Sequence, residues 1–363
     1  MAPFNSRPRA LQVYAGPRAL RHLRERGLQP ADVRVVPAAA GGAKGLILNP
    51  LDRFLFGHWL AGSGHTVHLA GASIGAWRMA CAMQPDPDAA LAALAHGYIH
   101  QQFKVPDGQL PSPAEVSRVF VDLLAQQFGG REATLLAHAR YRLHVFTSRG
   151  HGALLRREGR LRTPLGYAAA FTSNLARRQL LGRWLQRVVF SDPRDALPLP
   201  LQDFHSRSVP LTAANLAPAL QASGSIPFVL QAVHDIPGGP PGAYWDGGIT
   251  DYHLHLDYAA MDSGLVLYPH FQQQLVPGWL DKGLKRRHGA SPKLDNVVVL
   301  APRAEWVATL PQGKLPDRQD FKTWRFDRPG RIATWTAAVV AAQQLADEAA
   351  DWLAAPTQDA LPL

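Results

Sequence analysis

A chain of 363 residues that is 47% apolar and only 18% charged can bury a substantial core, which argues against a disordered protein. Its formal net charge of +10 attracts polyanions and acidic surfaces, while a single cysteine, Cys81, excludes an intrachain disulfide and is expected to be a buried core thiol in a reducing compartment. The arginine-studded N-terminus has no apolar h-region, and no run of about eighteen apolar residues occurs. The expectation is a cytoplasmic chain without a transmembrane helix, in contact with lipid only peripherally.

Residues 1–30 form a basic lead-in with a short helix at Pro17–Arg26. Val33–Ala39 is apolar, β-branched and closed by glycines, as expected of a buried strand, and a helix from Leu46 to Trp59 and a strand at Thr66–Ala70 follow. After Ser73 comes a helix, Ile74–Met83, that is apolar on nearly every face. Helices are expected at 89–103, 113–128 and 331–354, and strands at Tyr141–Thr147, Arg187–Ser191, Val209–Asn215, Gly264–Tyr268 and Asn296–Leu300. Strands alternating with helices predict an α/β fold: three layers, α/β/α, around a mainly parallel sheet, in one domain over 1–363.

Three glycine-framed islands carry chemistry. Gly41-Gly42-Ala43-Lys44-Gly45 exposes backbone N–H groups unobstructed by side chains, as an oxyanion hole requires. It is not a phosphate-binding loop, because Lys44 is followed by glycine rather than serine or threonine, nor does it spell a dinucleotide fingerprint. Lys44 is expected to brace the loop or a carboxylate. Gly71-Ala72-Ser73-Ile74-Gly75 fits a tight strand-to-helix turn that presents a serine, with Gly71 and Gly75 flanking the elbow; alone it is also compatible with a plain glycine-rich turn. In Tyr244-Trp245-Asp246-Gly247-Gly248 the two glycines would let a left-handed or strained turn aim the carboxylate of Asp246 into a cleft, or simply make an Asp-Gly turn. The cluster Pro237–Gly242 before it reads as a plain hairpin loop or a mobile flap beside the site.

In this order the islands resemble the patatin-like phospholipase family, in a divergent, bacterial-type branch. Ala222-Ser223-Gly224-Ser225-Ile226-Pro227 resembles the small-residue turn ending in Ile-Pro that the family carries before its aspartate. The resemblance spans about residues 33–255, with 256–363 adding strands and a helix to the same domain. It implies that Ser73 is the nucleophile and Asp246 its only protein base in a Ser-Asp dyad. It further implies that the amides around Gly41, Gly42, Ala43 and Lys44 form the oxyanion hole, and that lipid acyl esters such as phospholipids or lysophospholipids are cleaved without cofactor or metal. One departure stands out: where family members carry Asn-x-Pro after Asp-Gly-Gly, this chain reads Ile249 to His255 without it.

Two other classes compete. A Ser-Asp-His triad would draw its base from His253, His255, His270 or His288, and a silent lipid-binding or scaffold protein could retain the fold. His253 and His255, two apart on a strand, would face one side and could join Asp251 or Asp257 around a metal, but no third ligand is evident and no metal is expected. Basic amphipathic stretches at 175–188 and 275–287 could lie on an anionic membrane or turn their apolar faces to the core. No nucleic-acid motif accompanies the charge.

Overall fold

The computed structural model describes residues 8–105, 109–355 and 359–363. The first seven residues of the basic lead-in lie outside them. Eleven strands make one sheet: β1 (Leu11–Ala15), β2 (Val33–Ala38), β3 (Val67–Ala72), β4 (Tyr141–Gly150), β5 (Leu185–Ser191), β6 (Ser206–Pro210), β7 (Val233–His234), β8 (Ala243–Asp246), β9 (Leu265–Pro269), β10 (Val297–Pro302) and β11 (Leu361–Pro362). The path runs β11-β1-β10-β9-β2-β3-β4-β5-β6, with the β7–β8 hairpin joined to β4. From β10 through β9, β2 and β3 to β4 every pairing is parallel. β2, β3, β9 and β10 are buried almost throughout, as strands covered on both faces must be. Helices flank this sheet in three α/β/α layers.

β4 positions the site. Its residues Tyr141–Phe146 pair in parallel with β3, and Thr147–Arg149 pair antiparallel with β8. β5 takes the other edge over His144–Gly150. β3 and β8 therefore share one edge of β4 and meet end to end with their C-termini facing. Ala72 lies opposite Phe146, and Asp246 opposite the next residue, Thr147.

Most expected elements stand within a few residues of their predicted bounds, and the helix Pro17–Arg26 matches. Val209–Asn215 does not: β6 ends at Pro210, and Asn215 Oδ1 accepts the Thr212 N–H at 2.8 Å to start a new helix, Ala213–Gly224. The C-terminal helix is two, Arg328–Ala341 and Gln343–Ala354. Helical structure after the glycine run begins earlier than expected, with a 3-10 segment at Gly42–Leu48 leading into Asn49–Phe54.

The two basic stretches are not free amphipathic helices. Residues 175–188 end one helix, make the 3-10 turn Arg178–Arg183 and enter β5; Leu181, Leu185 and Val188 are core. In 275–287 the residues Val276 and Leu280 are buried. Most of each apolar face is turned into the core, while Leu175 and Trp279 are exposed. Pro237–Gly242 is the turn of the β7–β8 hairpin, tied by the Tyr244 hydroxyl to the Pro240 carbonyl at 2.6 Å. Among the described residues no helix is long and apolar enough to cross a membrane.

The helix Ile74–Ala82 is locked to Asn49–Phe54 by a buried bidentate pair: Arg78 donates to both Asp52 oxygens at 2.6 and 2.7 Å. Removing one partner strands a buried charge. Asp52→Ala is therefore expected to lower stability by about 3–5 kcal/mol in urea unfolding; a loss of under ~1 kcal/mol, the range of an exposed pair, would contradict that role.

Candidate active site

Ser73 follows the last residue of β3 and opens the helix Ile74–Ala82, with φ 57° and ψ −132°. A non-glycine residue in that region stores strain of order 1–3 kcal/mol, held here by the strand on one side and the helix on the other. The flanking glycines provide clearance. A β-carbon on Gly75 would stand 2.1 Å from the Ala38 carbonyl oxygen, and one on Gly71 would stand 2.4 Å from the Ala76 Cα. Only glycine lets the helix rest on the ends of β2 and β3.

The Ser73 hydroxyl donates to Asp246 Oδ2 at 2.7 Å. Asp246 Oδ1 accepts the Gly248 N–H at 2.7 Å, so both oxygens are engaged. Both residues are buried. Burial pushes the Asp246 carboxyl above its ordinary range; Arg318, the hydrogen bonds from Ser73 and Gly248, and Lys282 oppose that rise. The expected left-handed turn after Asp246 is absent: Gly247 is right-handed at φ −60°, and Gly248 has no positive φ. Both glycines are required by crowding instead. A β-carbon on Gly247 would meet the Phe146 carbonyl oxygen at 2.1 Å, and one on Gly248 would meet the Ala40 β-carbon at 2.6 Å.

The Ala222–Pro227 segment binds the two halves together. The Ser73 N–H donates to Ser223 Oγ at 2.8 Å, and that hydroxyl donates to the Phe146 carbonyl at 2.7 Å. The Asp246 and Gly247 N–H groups donate to the carbonyls of Ser225 and Ser223 at 2.8 and 3.1 Å. Nucleophile and acid thus hang from one buried turn. The sequence marked this segment without assigning it a task.

The glycine run lies beside the pair. Gly42, at φ 58°, lines a chamber of about 20 Å³ together with Ser73, Trp77, Tyr98, Phe120 and Ile226. This is room for about one water. The N–H groups of Gly41, Gly42 and Ala43 donate to no protein acceptor among the described residues. Gly41 is not in the chamber's lining, and a β-carbon on it would stand 2.6 Å from the Phe271 ring. Among the described residues Lys44 binds no carboxylate; its ammonium lies 5.5 Å from the Phe271 ring centroid, and burial lowers its pKa. Tyr98, Phe120 and Ile226 also line a groove of about 450 Å³, walled by apolar residues such as Phe103, Leu110 and Phe228 and edged by Arg318, Lys322, Arg325 and Arg328.

The histidines stand elsewhere. His253 and His255 lie in an irregular segment rather than on a strand: His253 Nδ1 lies 2.9 Å from the Val276 nitrogen and 3.1 Å from the Gln274 carbonyl, accepting from the first or donating to the second according to its tautomer, and His255 bonds the Ser291 hydroxyl. His270 bonds Gln272 and His288 the Asp281 carbonyl. None touches Ser73 or Asp246, and among the described residues no group of three potential ligands is placed to hold a metal. Cys81 is buried and its thiol pKa is pushed up by that burial.

The model of the family described as patatin-like phospholipase matches residues 59–254, more than half of the chain. The chain belongs to the patatin-like phospholipase family. That match contains Ser73, the Ser223–Pro227 turn and Asp246; the glycine run and the C-terminal third lie outside it. As a patatin-like phospholipase the protein is a hydrolase of lipid substrates. No curated relative matches at a significant level. Missed in the sequence were Tyr98 and Arg318, which sit in no motif, while Lys282 was marked only as part of the basic stretch 275–287; Arg318, in Asp-Arg-Gln-Asp, is brought in by the tertiary fold.

A carboxyl whose pKa is raised by burial costs the native state while ionised. The cost is present above the raised pKa, fades as pH falls through it, and vanishes once both states are protonated. Asp246→Asn should therefore raise the urea midpoint at mildly alkaline pH, with the gain lost below about pH 4. No gain at alkaline pH would contradict the burial argument.

Proposed function

We propose that the protein is a serine lipid acyl hydrolase that cleaves carboxylic esters of phospholipids or lysophospholipids through a Ser73–Asp246 dyad. The direct bond from the Ser73 hydroxyl to Asp246, in a buried chamber shared with Gly42, carries this reading. As Ser73 Oγ attacks the carbonyl carbon, its proton passes to Asp246 Oδ2 and the carbonyl π pair moves onto oxygen. The amides of Gly41, Gly42 and Ala43, with the adjoining Lys44 loop, take the oxyanion. Collapse breaks the ester C–O bond, and the leaving alcohol takes the proton from Asp246. Water then attacks the acyl-enzyme, giving its proton to the same carboxylate, and release of the fatty acid returns that proton to Ser73.

The groove beyond Tyr98, Phe120 and Ile226 suits the acyl chain, since it is lined largely by apolar side chains. Because the chamber at Ser73 is so small, those three side chains must part for a substrate to enter. The scheme uses neither cofactor nor metal. One domain over 1–363 is supported by β1, β9, β10 and β11 lying in the same sheet as the matched region. A cytoplasmic site of action, peripheral to membranes, fits the chain's positive charge.

Hydrolysis of a p-nitrophenyl acyl ester should fall at least ~10³-fold in both Ser73→Ala and Asp246→Ala with folding preserved. Retained activity in Asp246→Ala, with loss in a histidine variant, would overturn the dyad. Since the base must be ionised and burial raises its pKa, activity should fall as pH drops through a value above the ordinary carboxylate range. An acid limb at or below that range would contradict the assignment.

A further inference from the structure

The C-terminal third, outside the matched region, sends one arginine into the site. Two acids flank Arg318 in the sequence, and both are committed elsewhere. Lys314 reaches Asp317 at 3.0 Å and Asp320 at 2.6 Å. Asp320 also accepts the Trp335 indole N–H at 2.8 Å and the Asp317 N–H at 3.0 Å, and Asp317 accepts the Gln319 N–H at 2.8 Å. The Arg318 guanidinium is left without a hydrogen bond or ion pair among the described residues.

That free guanidinium lies over the glycine run. Its Nε stands 3.3 Å from the place a β-carbon would take on Gly42, and the Tyr98 hydroxyl stands 3.4 Å from the same place. A side chain on Gly42 would crowd both. The Tyr98 hydroxyl likewise has no protein partner among the described residues. Two more cations without acid partners among the described residues adjoin the loop. Lys44 lies over Phe271, which packs against Gly41, and Lys282 lies 4.1 Å from the ring centroid of Tyr252, whose carbonyl accepts the Ala40 N–H. Lys282 is exposed as a residue, yet desolvation of its ammonium, then repulsion from Arg318 and Lys44, pulls its pKa down to about 8. Asp246 makes no ion pair with any of them among the described residues; its oxygens bond Ser73 and Gly248.

We propose, resting on the hydrolase reading above, that Arg318 and the Tyr98 hydroxyl form an anion subsite beside the Gly42 loop that takes a phosphate carried on the alcohol side of the acyl ester. The planar guanidinium matches two phosphate oxygens at once, and a phosphate monoester offers three to this set of donors. Arg318 lines the groove as well, so an ester with its carbonyl at Gly42 has an apolar path for the acyl chain and a cationic station for the head. The subsite selects acyl esters of a phosphorylated alcohol over uncharged esters.

Binding to full-length Ser73→Ala protein, which needs no turnover, separates this proposal from the hydrolase reading. By calorimetry, 1-octanoylglycerol 3-phosphate should bind at least ~10-fold tighter than 1-octanoylglycerol, as a charge-assisted hydrogen bond warrants. That preference should fall about tenfold or more when Arg318→Gln is added, and recover in part with Arg318→Lys. Glycerol 3-phosphate alone should bind far more weakly than the acyl form. A preference unchanged by Arg318→Gln in folded protein overturns the proposal, as does glycerol 3-phosphate binding as tightly as the ester. Should Arg318→Gln fail to fold, Arg318→Lys decides: it keeps the charge without the fork, and an undiminished preference there overturns the bidentate subsite.

Discussion

The 2.7 Å hydrogen bond between Ser73 and Asp246 exists because two strands meet end to end along one edge of β4. β3 runs with β4 and β8 against it, so their C-terminal residues are delivered to adjacent positions, opposite Phe146 and Thr147. Everything else at the site follows from that convergence. Ser73 must take a strained conformation to leave β3 for its helix. Gly71 and Gly75 must lack side chains so that the helix can rest on the strand ends, and Gly247 and Gly248 must lack them so that the chain can leave β8 past Phe146 and Ala40. The buried Ser223–Ser225 turn fastens both ends: it takes the backbone N–H groups of Ser73, Asp246 and Gly247.

The electrostatics of the site pull in two directions. Burial disfavours the Asp246 carboxylate, which makes it a stronger base than an exposed aspartate, while Arg318, Lys282 and the two hydrogen bonds restrain the rise. Such a group works against stability and in favour of proton transfer, a trade common where chemistry is performed. Buried arginines elsewhere are matched by acids, Arg78 by Asp52 and Arg187 by Asp251 and Asp203. The three cations around the glycine run are the contrast: they lie beside the site and, among the described residues, pair with no acid.

How far the sequence discloses this depends on the range of the interaction. Ser73, its glycines and Asp246 are legible because tight local geometry leaves a local mark in small residues. Even there the physical reason differs, since Gly247 and Gly248 serve clearance rather than a left-handed turn. β6 is misplaced because Val209 and Pro210 look like the start of a strand, while the cap at Thr212 and Asn215 already begins a helix. The helix pair at 328–354 reads as one because alanine runs through the break at Ala342. His253 and His255 look paired by spacing, yet the segment is not a strand and each ring bonds a different neighbour. Arg318 leaves no mark, because its place over Gly42 comes from a turn 276 residues away in the chain, between residues 42 and 318.

The central claim is that Ser73, activated by Asp246 alone, is the nucleophile. Treatment of the full-length protein with a fluorophosphonate, followed by peptide mass spectrometry, tests it most directly. The account predicts one adduct, on Ser73, whose formation is abolished or greatly slowed in Asp246→Asn and unaffected by replacing His253, His255, His270 or His288. No adduct at Ser73 in folded protein, or labelling that survives Asp246→Asn and fails without one of those histidines, would contradict it.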